Sequence, residues 1–235
     1  MAADASNPSS AATSAGGSQT LERGLRVLRV LAEHPAGLSV TELAAALGTH
    51  RPSVYRLLSP LVEQRFVSRG EDGRYTLGVG LVQLASSVRP RLQEVALPEL
   101  RRLADELRAT TALTVRDGDD AVVFAVMEPR STDMHIAYRT GLRHPLDRAA
   151  SGLAILAGGP PRPGERAEVG EARTRGWARS TGELLPGASG VAAPIARAGR
   201  DAEASLSAVW IEPRDEAPVA ERVVAAARAI AGALG

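Results

Sequence analysis

The chain has 235 residues, which is enough for two domains that each bury a core, and its formal net charge is +1. It contains neither cysteine nor lysine, so that all 28 basic residues are arginine. These absences exclude a disulfide scaffold, a cysteine-ligated zinc site and any mechanism that needs a P-loop, Schiff-base or kinase lysine. No apolar run approaches the roughly 18 residues that span a bilayer, and residues 1–18 lack the basic start and apolar centre of a signal peptide. The sequence therefore predicts a disordered tail at residues 1–18 and a cytoplasmic protein.

The first regular element is a helix over Thr20–His34, which Pro35 ends. Its apolar spacing is expected to turn four leucines inward, namely Leu21, Leu25, Leu28 and Leu31. A second helix begins at Ser39, because Ser39 and Glu42 form an S-x-x-E capping box whose side chains bond each other's backbone N–H groups. Gly48 stands where a helix commonly ends in the left-handed conformation.

A third helix follows a three-residue turn, and Thr49 is positioned to cap it. One face is apolar at helical spacing, through Val54, Leu57, Leu58, Leu61 and Val62. Pro52 is tolerated in the first turn, whereas Pro60 in the interior predicts a bend. The opposite face carries polar side chains, namely His50, Arg51, Ser53, Tyr55 and Arg56. Two helices joined by a tight turn, the second with arginines and hydroxyls outward, are typical of insertion into the major groove of DNA.

Residues 66–77 alternate around the turn Gly70–Gly73, a pattern that predicts a two-stranded hairpin. Arg69 and Arg74 flank this turn, as expected of a wing that contacts phosphates. The sequence thus predicts a winged helix-turn-helix over residues 19–77, with double-stranded DNA as its partner. The predicted DNA-binding residues are Thr49, His50, Arg51, Ser53, Tyr55, Arg56, Arg69 and Arg74.

These residues are expected to differ in what they contact. Arg51 and Arg56 are candidates for forked hydrogen bonds to guanine, and the hydroxyls of Ser53 and Tyr55 are candidates for phosphate contacts. The alternative interpretation is an ordinary solvated helix face. The capped helix pair followed by a basic hairpin favours DNA contact over that alternative.

A helical connector is predicted over residues 78–98, with interruptions at Pro90 and Pro98, the second of which starts another helix through Leu107. An amphipathic connector of this kind either packs on its own domains or pairs with a second copy of the chain. The sequence leaves both possibilities open.

Beyond Thr110 the hydrophobic period changes from helical to alternating, which predicts a second domain over residues 99–235. The predicted strands are Ala112–Arg116, Ala121–Met127, Met134–Tyr138, Val191–Ala196 and Ser205–Trp210. The predicted helices are Ser151–Ala157, Glu165–Arg175 and Glu216–Leu234. Strands in short succession with helices between them indicate an α+β domain, in which helices cover an antiparallel sheet.

Six strings in this order resemble the IclR-type family of bacterial transcription regulators. They are TLERGLRVL (20–28), LSVTELAAALG (38–48), SVYRLL (53–58), GRYTLG (73–78), AASG (149–152) and GVAAPI (190–195). The resemblance implies a winged helix-turn-helix, a linker helix and a C-terminal effector-binding domain with a GAF/PAS-like antiparallel sheet. It also implies a homodimer or a dimer of dimers, which represses nearby operons under the control of a small organic acid or similar metabolite, without a cofactor.

The resemblance also carries ligand-lining positions onto this chain, which fall on Ala150, Ser151, Ser180, Gly190, Ser207 and Val209. The family often has an acidic residue in place of Ser180 and a cysteine in place of Gly190, so the chain lacks two polar anchors and a wider cavity is expected. The stretch between Ala157 and Gly176 is also shorter than usual. Ser151 is expected to cap its helix, where free N–H groups could bind a ligand carboxylate.

Two other functions remain as alternatives. One is a DNA-binding regulator whose sensor domain is vestigial and binds no ligand. The other is an enzyme built on the C-terminal domain. The four histidines lack metal-ligand spacing, and Ser151 and Ser189 lack the glycine that a nucleophile elbow requires two residues later. The sequence therefore predicts a protein with no metal site that is not an enzyme.

Overall fold

The computed structural model describes residues 18–130 and 138–235, which form two compact units that divide after Val88. The predicted tail therefore lies outside the described residues, apart from Ser18. The predicted strand Met134–Tyr138 also lies outside them, apart from Tyr138. In the described parts of the chain, no helix combines the length and the apolar character that a membrane span requires.

The first unit is a helical bundle with a hairpin. Its elements are α1 (Gln19–Ala32), α2 (Val40–Leu47), α3 (Arg51–Glu63), β1 (Val67–Arg69), β2 (Tyr75–Leu77) and α4 (Gly80–Ser86). Strands β1 and β2 pair antiparallel with Val67 opposite Leu77. The core draws on all three N-terminal helices and on the hairpin, through Val27, Leu31, Leu38, Val40, Leu43, Ala44, Val54, Leu57, Leu58, Val67 and Tyr75. The predicted winged helix-turn-helix is confirmed.

The local signals around α2 act as predicted. The Ser39 N–H donates to Glu42 Oε2 at 2.7 Å, and the Glu42 N–H donates to Ser39 Oγ at 3.3 Å. Gly48 ends the helix at φ 61°. The predicted cap at Thr49 is wrong, because the Thr49 N–H turns back to Ala44 O at 2.9 Å and His50, in extended conformation, is the residue that precedes α3.

One prediction about α1 needs correction, and α3 runs on through its interior proline. Leu21 and Leu25 are 64% and 52% exposed, and Val27 and Leu31 are the buried residues of α1. Leu25 precedes Leu31 by six residues, so it projects about 120° around the helix from the buried face. Pro60 lies inside α3, which continues through it to Glu63.

The predicted connector over residues 78–98 is not one helix. Helix α4 stops at Ser86, and α5 (Pro90–Leu107) begins the second unit. Arg89 between them adopts the left-handed conformation, at φ 47°. The predicted interruption at Pro98 is wrong, because this exposed proline lies within α5.

The second unit is a six-stranded antiparallel sheet in the order β5-β4-β3-β8-β7-β6. The strands are β3 (Thr110–Asp117), β4 (Asp120–Met127), β5 (Arg143–Pro145), β6 (Ala178–Thr181), β7 (Ser189–Ile195) and β8 (Ala204–Trp210). The helices are α6 (Ala149–Ala157), α7 (Ala167–Arg175) and α8 (Glu216–Leu234). The predicted α+β class is confirmed, although the two short outer strands β5 and β6 were not predicted.

Alternation along the central strands separates two faces of this sheet. On β8, Leu206 and Ala208 pack into the main core with α5 and α8. Ser205 and Ser207 point to the other face, where the Ser205 hydroxyl donates to the backbone oxygen of Ser151 in α6 at 2.9 Å. The small and hydroxylated side chains of the second face leave room for a helix and for a cavity beside it.

Candidate functional sites

The outward face of α3 carries the polar residues that the sequence singled out. His50, Arg51, Tyr55 and Arg56 are exposed, while Val54 and Leu57 point into the core. The phase of the helix therefore separates buried aliphatic side chains from an exposed face with two arginines. Such a face can present guanidinium groups to the base edges of a major groove.

The side chain of Arg56 has a partner on its own helix. Its Nη2 donates to Ser53 Oγ at 3.2 Å. Ser53 is half-buried, so it is a better candidate for positioning this guanidinium than for reaching a phosphate on its own. Thr49 is also half-buried, and it lies in the turn that precedes α3.

The two arginines of the hairpin differ in their surroundings. Arg69 is exposed and lies 5.8 Å from the centre of the Tyr75 ring. Arg74 is half-buried and donates through Nε and Nη2 to the Gly37 backbone oxygen, at 3.1 and 3.0 Å. Its Nη2 also lies 3.1 Å from the carboxylate of Glu42. Arg74 thus ties the hairpin to the start of α2, and Arg69 is the better candidate for a phosphate contact.

The six predicted ligand positions meet in one cavity of the second unit. Ala150, Ser151, Ser180, Gly190, Ser207 and Val209 all line it. Tyr138, Glu183, Leu184 and Leu185 are further lining residues. The cavity volume is about 30 Å³, which is room for about two water molecules. Glu183 and the two leucines line this cavity together with the small residues at positions 180 and 190.

The N-terminus of α6 forms one end of this cavity. The Ala149 N–H donates to Glu183 Oε2 at 2.8 Å, and the Ala150 N–H donates to Ser180 Oγ at 2.8 Å. Ala149 has φ 61°, a left-handed conformation that costs a residue with a side chain about 1–3 kcal/mol. Side chains of the chain itself thus satisfy the N–H groups that could hold an anionic ligand.

Two arginines contact Glu183, one at its carboxylate and one at its backbone oxygen. Arg166 at the start of α7 forks onto its carboxylate, with Nη1–Oε2 and Nη2–Oε1 distances of 3.2 and 3.1 Å. Arg148 donates to the Glu183 backbone oxygen at 3.1 Å. Burial by itself raises the pKa of Glu183, but the hydrogen bonds from Arg166 and the Ala149 N–H outweigh it and hold the pKa below its usual range. The residue is therefore an ionised carboxylate that faces the cavity.

Ser151 does not cap its helix, which corrects the prediction. Arg148 precedes α6, and the Ser151 hydroxyl lies 3.2 Å from His144 Nε2. His144 Nδ1 lies 2.9 Å from the Pro145 backbone oxygen, which can only accept, so Nδ1 carries the proton and Nε2 accepts from Ser151. The buried His144 and Ser151 thus connect β5 to α6.

Because burial is the largest influence and lowers the pKa of His144, the folded chain resists protonation of this ring. A lowered pKa means that the unfolded chain takes up the proton first as the pH falls below about 6.5, so the second unit should lose stability there by up to about 1.4 kcal/mol per pH unit. Urea unfolding at pH 7.5 and 5.5 measures this, with tryptophan fluorescence as the signal, since both tryptophans lie in the second unit.

In the His144→Gln variant this pH dependence should largely disappear, because glutamine does not titrate. The matched control is His34→Gln, which replaces an exposed histidine of the first unit and should keep the wild-type dependence. An unchanged pH dependence in His144→Gln would contradict the assignment.

The residues that the sequence missed are Glu183, Arg166, Tyr138 and His144. Glu183 stands three positions after Ser180, in the segment where the resemblance leads one to expect an acid. The acid at this shifted position was the signal from which the sequence could have identified Glu183. Arg166 offered no signal, because its contact with Glu183 joins residues 17 positions apart.

Comparison with known families gives two consecutive matches. The model of the IclR helix-turn-helix domain matches residues 20–71, and the model of the bacterial transcriptional regulator IclR C-terminal domain matches residues 85–167. The first match lies within the first unit, the second covers the end of the first unit and the second unit as far as residue 167, and together they cover more than half of the chain.

Individual relatives agree with these matches. The chain is 38% identical over 151 residues to an HTH-type transcriptional regulator of Mycobacterium tuberculosis, covering 63% of this chain and 58% of the relative. It is 30% identical over 143 residues to the transcriptional repressor IclR of Escherichia coli, covering 59% of this chain and 52% of the relative. The chain thus spans little more than half the length of these relatives.

Solved structures cover more of the chain. An IclR homologue of Microbacterium hydrocarbonoxydans, complexed with 4-hydroxybenzoate, has a TM-score of 0.80 and 26% identity and covers 92% of this chain and 99% of its own. The IclR transcriptional regulator of Alicyclobacillus acidocaldarius has a TM-score of 0.77 and 26% identity, with coverage of 94% and 100%.

Proposed function

Because the chain belongs to the IclR family of bacterial transcriptional regulators, we propose that it represses transcription by binding an operator sequence in double-stranded DNA. In this proposal the first unit contacts DNA, and a small molecule in the cavity of the second unit changes operator binding. The protein acts in the cytoplasm, where its DNA is, and it has no catalytic role.

The observation that carries the proposal is the exposed polar face of α3 beside the hairpin. Arg51 and Arg56 lie on the solvent side of a helix whose other side is fixed in the core, and Arg69 stands on the hairpin that follows. This arrangement supports base contacts by α3 and a phosphate contact by Arg69. Arg74 is assigned to bracing the hairpin, because Gly37 and Glu42 hold its guanidinium.

A homodimer is part of the proposal. Leu21 and Leu25 on α1 are more than half exposed, as are Val82 and Leu84 on α4. Apolar side chains concentrated on two helices of one small unit are typical of a surface that a second copy covers. A dimer would place two copies of α3 on one operator and would require a nearly palindromic site.

Effector control is supported by the cavity at the N-terminus of α6. The related structure with 4-hydroxybenzoate was obtained with a small molecule bound, and the predicted ligand positions of this chain converge on one cavity. The alternative of a vestigial sensor is favoured by one observation, the small volume of about 30 Å³. Opening of the Glu183–Leu185 segment would be needed to admit a ligand larger than water.

Selection of genomic DNA fragments on the purified full-length chain, followed by footprinting, tests the proposal. We expect a protected site with two half-sites whose centres lie about 34 Å, or a multiple of it, apart. Affinity should fall steeply as salt concentration rises, because each phosphate contact releases counterions. Shuffled DNA of the same composition is the control. Equal binding to selected and shuffled DNA at all salt concentrations would refute operator recognition.

A further inference from the structure

The polar lining of the cavity indicates what kind of ligand it can accept. Glu183 is the charged member among the described residues that line it, and its charge is negative. The other polar lining groups are hydroxyls, on Tyr138, Ser151, Ser180, Ser189 and Ser207. No lining residue in the described parts of the chain supplies a positive charge for an incoming anion.

Glu183 also fills the position where an acid would bind most favourably. The N-terminus of a helix attracts anions through its free N–H groups, and here the first of these, on Ala149, donates to Glu183. The guanidinium of Arg166 is already engaged in the forked contact with the Glu183 carboxylate. A second carboxylate would have to displace Glu183 or lie against it, and like charges at such a distance repel.

We propose that this cavity takes an uncharged ligand, and that Glu183 is the specificity residue that excludes carboxylates from it. The inference deepens the proposed function, since it concerns the site assigned there to the effector. The carboxylate of Glu183 occupies the position at the helix N-terminus that the carboxylate of an acidic effector would otherwise take.

The remaining lining describes the ligand further. Leu184, Leu185 and Val209 form an apolar wall, and Val209 stands opposite Gly190 in the sheet. The Ser180 hydroxyl accepts a hydrogen bond from the Ala150 N–H and can still donate one. These groups suit a small, mainly apolar molecule with a neutral hydrogen-bond acceptor, such as an amide, a ketone or an ester.

Thermal unfolding of the full chain with matched pairs of acids and amides tests this inference. The probes are acetate with acetamide and benzoate with benzamide, at the same ionic strength set with chloride. In the wild type, neither acid should raise the melting temperature more than its amide does. In Glu183→Ala, the vacated position should accept the acids, and both should raise the melting temperature by about 3 °C above the amides.

Two further variants make the result specific to this position. Glu183→Gln keeps the shape and an acceptor for the Ala149 N–H, so it should not respond to acids. Glu168→Ala removes the other carboxylate that pairs with Arg166, at 2.9 Å, but leaves the cavity lining intact, and it too should not respond.

Two outcomes would overturn the inference. One is stabilisation of the wild type by acids to the same extent as Glu183→Ala, and the other is a Glu183→Ala variant that shows no preference for acids. The readout involves no DNA, so failure of operator binding would leave this result intact and the two proposals can fail separately.

Discussion

Replacement of Arg56 by alanine is expected to weaken operator binding by about 1–3 kcal/mol, which is roughly 5-fold to 150-fold in affinity, and to relax base preference at one position of the half-site. The expectation follows from the exposed position of Arg56 on α3 and from its bond to Ser53, which holds the guanidinium at 3.2 Å. Fluorescence anisotropy with operator variants that differ at single positions measures both effects.

The control for this prediction is Arg69→Ala on the hairpin. If Arg69 contacts a phosphate, its loss should weaken binding to all sequences alike and reduce the slope of the salt dependence by about 1. Arg56→Lys offers a second comparison, since lysine keeps the charge but cannot form the forked contact with guanine. A uniform loss in Arg56→Ala, with base preference unchanged, would show that Arg56 contacts the backbone instead.

Where local sequence signals decide the structure, the sequence predicted it well. The capping box of Ser39 and Glu42 and the left-handed Gly48 depend on residues within a few positions of one another. Helix α8 has the predicted bounds, Glu216–Leu234, because Asp215 caps it, an apolar stripe runs along it, and its proline, Pro218, lies in the first turn, where proline is tolerated. The central strands were predicted for the same reason, by their alternation and the turn residues between them.

Where contacts between residues far apart in the chain decide the structure, the sequence alone did not predict it. The face of α1 that is buried depends on what packs against it, so the sequence correctly placed Leu31 inward but wrongly added Leu21 and Leu25 and left out Val27. Arg74 was assigned to phosphate, yet Gly37, 37 positions earlier, accepts its hydrogen bonds. Charge and position along the chain indicate that an arginine is near the surface, but not which acceptor holds it.

The cavity contains features that the sequence predicted and one that it did not. The family resemblance identified six positions that do converge, because the sheet and α6 place them on one face. It could not anticipate that Glu183 would replace the acid missing at position 180, since that requires the β6–β7 connection to fold back over the start of α6. Prediction of the walls of the site was thus easier than prediction of its charge.

The second large effect is a loss of stability expected for Gly152→Ala, because α6 packs closely against the segment that precedes it. A Cβ atom at this position would lie 2.4 Å from the Leu146 backbone oxygen, a distance that requires the helix or that segment to move. We expect a loss of about 1–3 kcal/mol in the stability of the second unit, as for other overpacked cores. Alanine is the better helix former by about 1 kcal/mol, so any net loss reflects the steric conflict.

Gly170→Ala on α7 is the matched control, because a Cβ there would meet nothing within 4 Å. The same exchange of glycine for alanine should then stabilise the unit by about 0.5–1 kcal/mol. Urea unfolding followed by the fluorescence of Trp177 and Trp210 compares the two variants in the unit that contains both mutations.

Displacement of α6 would also carry the N–H groups of Ala149 and Ala150 away from Glu183 and Ser180, so Gly152→Ala should alter ligand response as well as stability. Equal stability of the two variants would mean that α6 can shift without cost, and the fixed geometry assumed for the cavity would then be wrong.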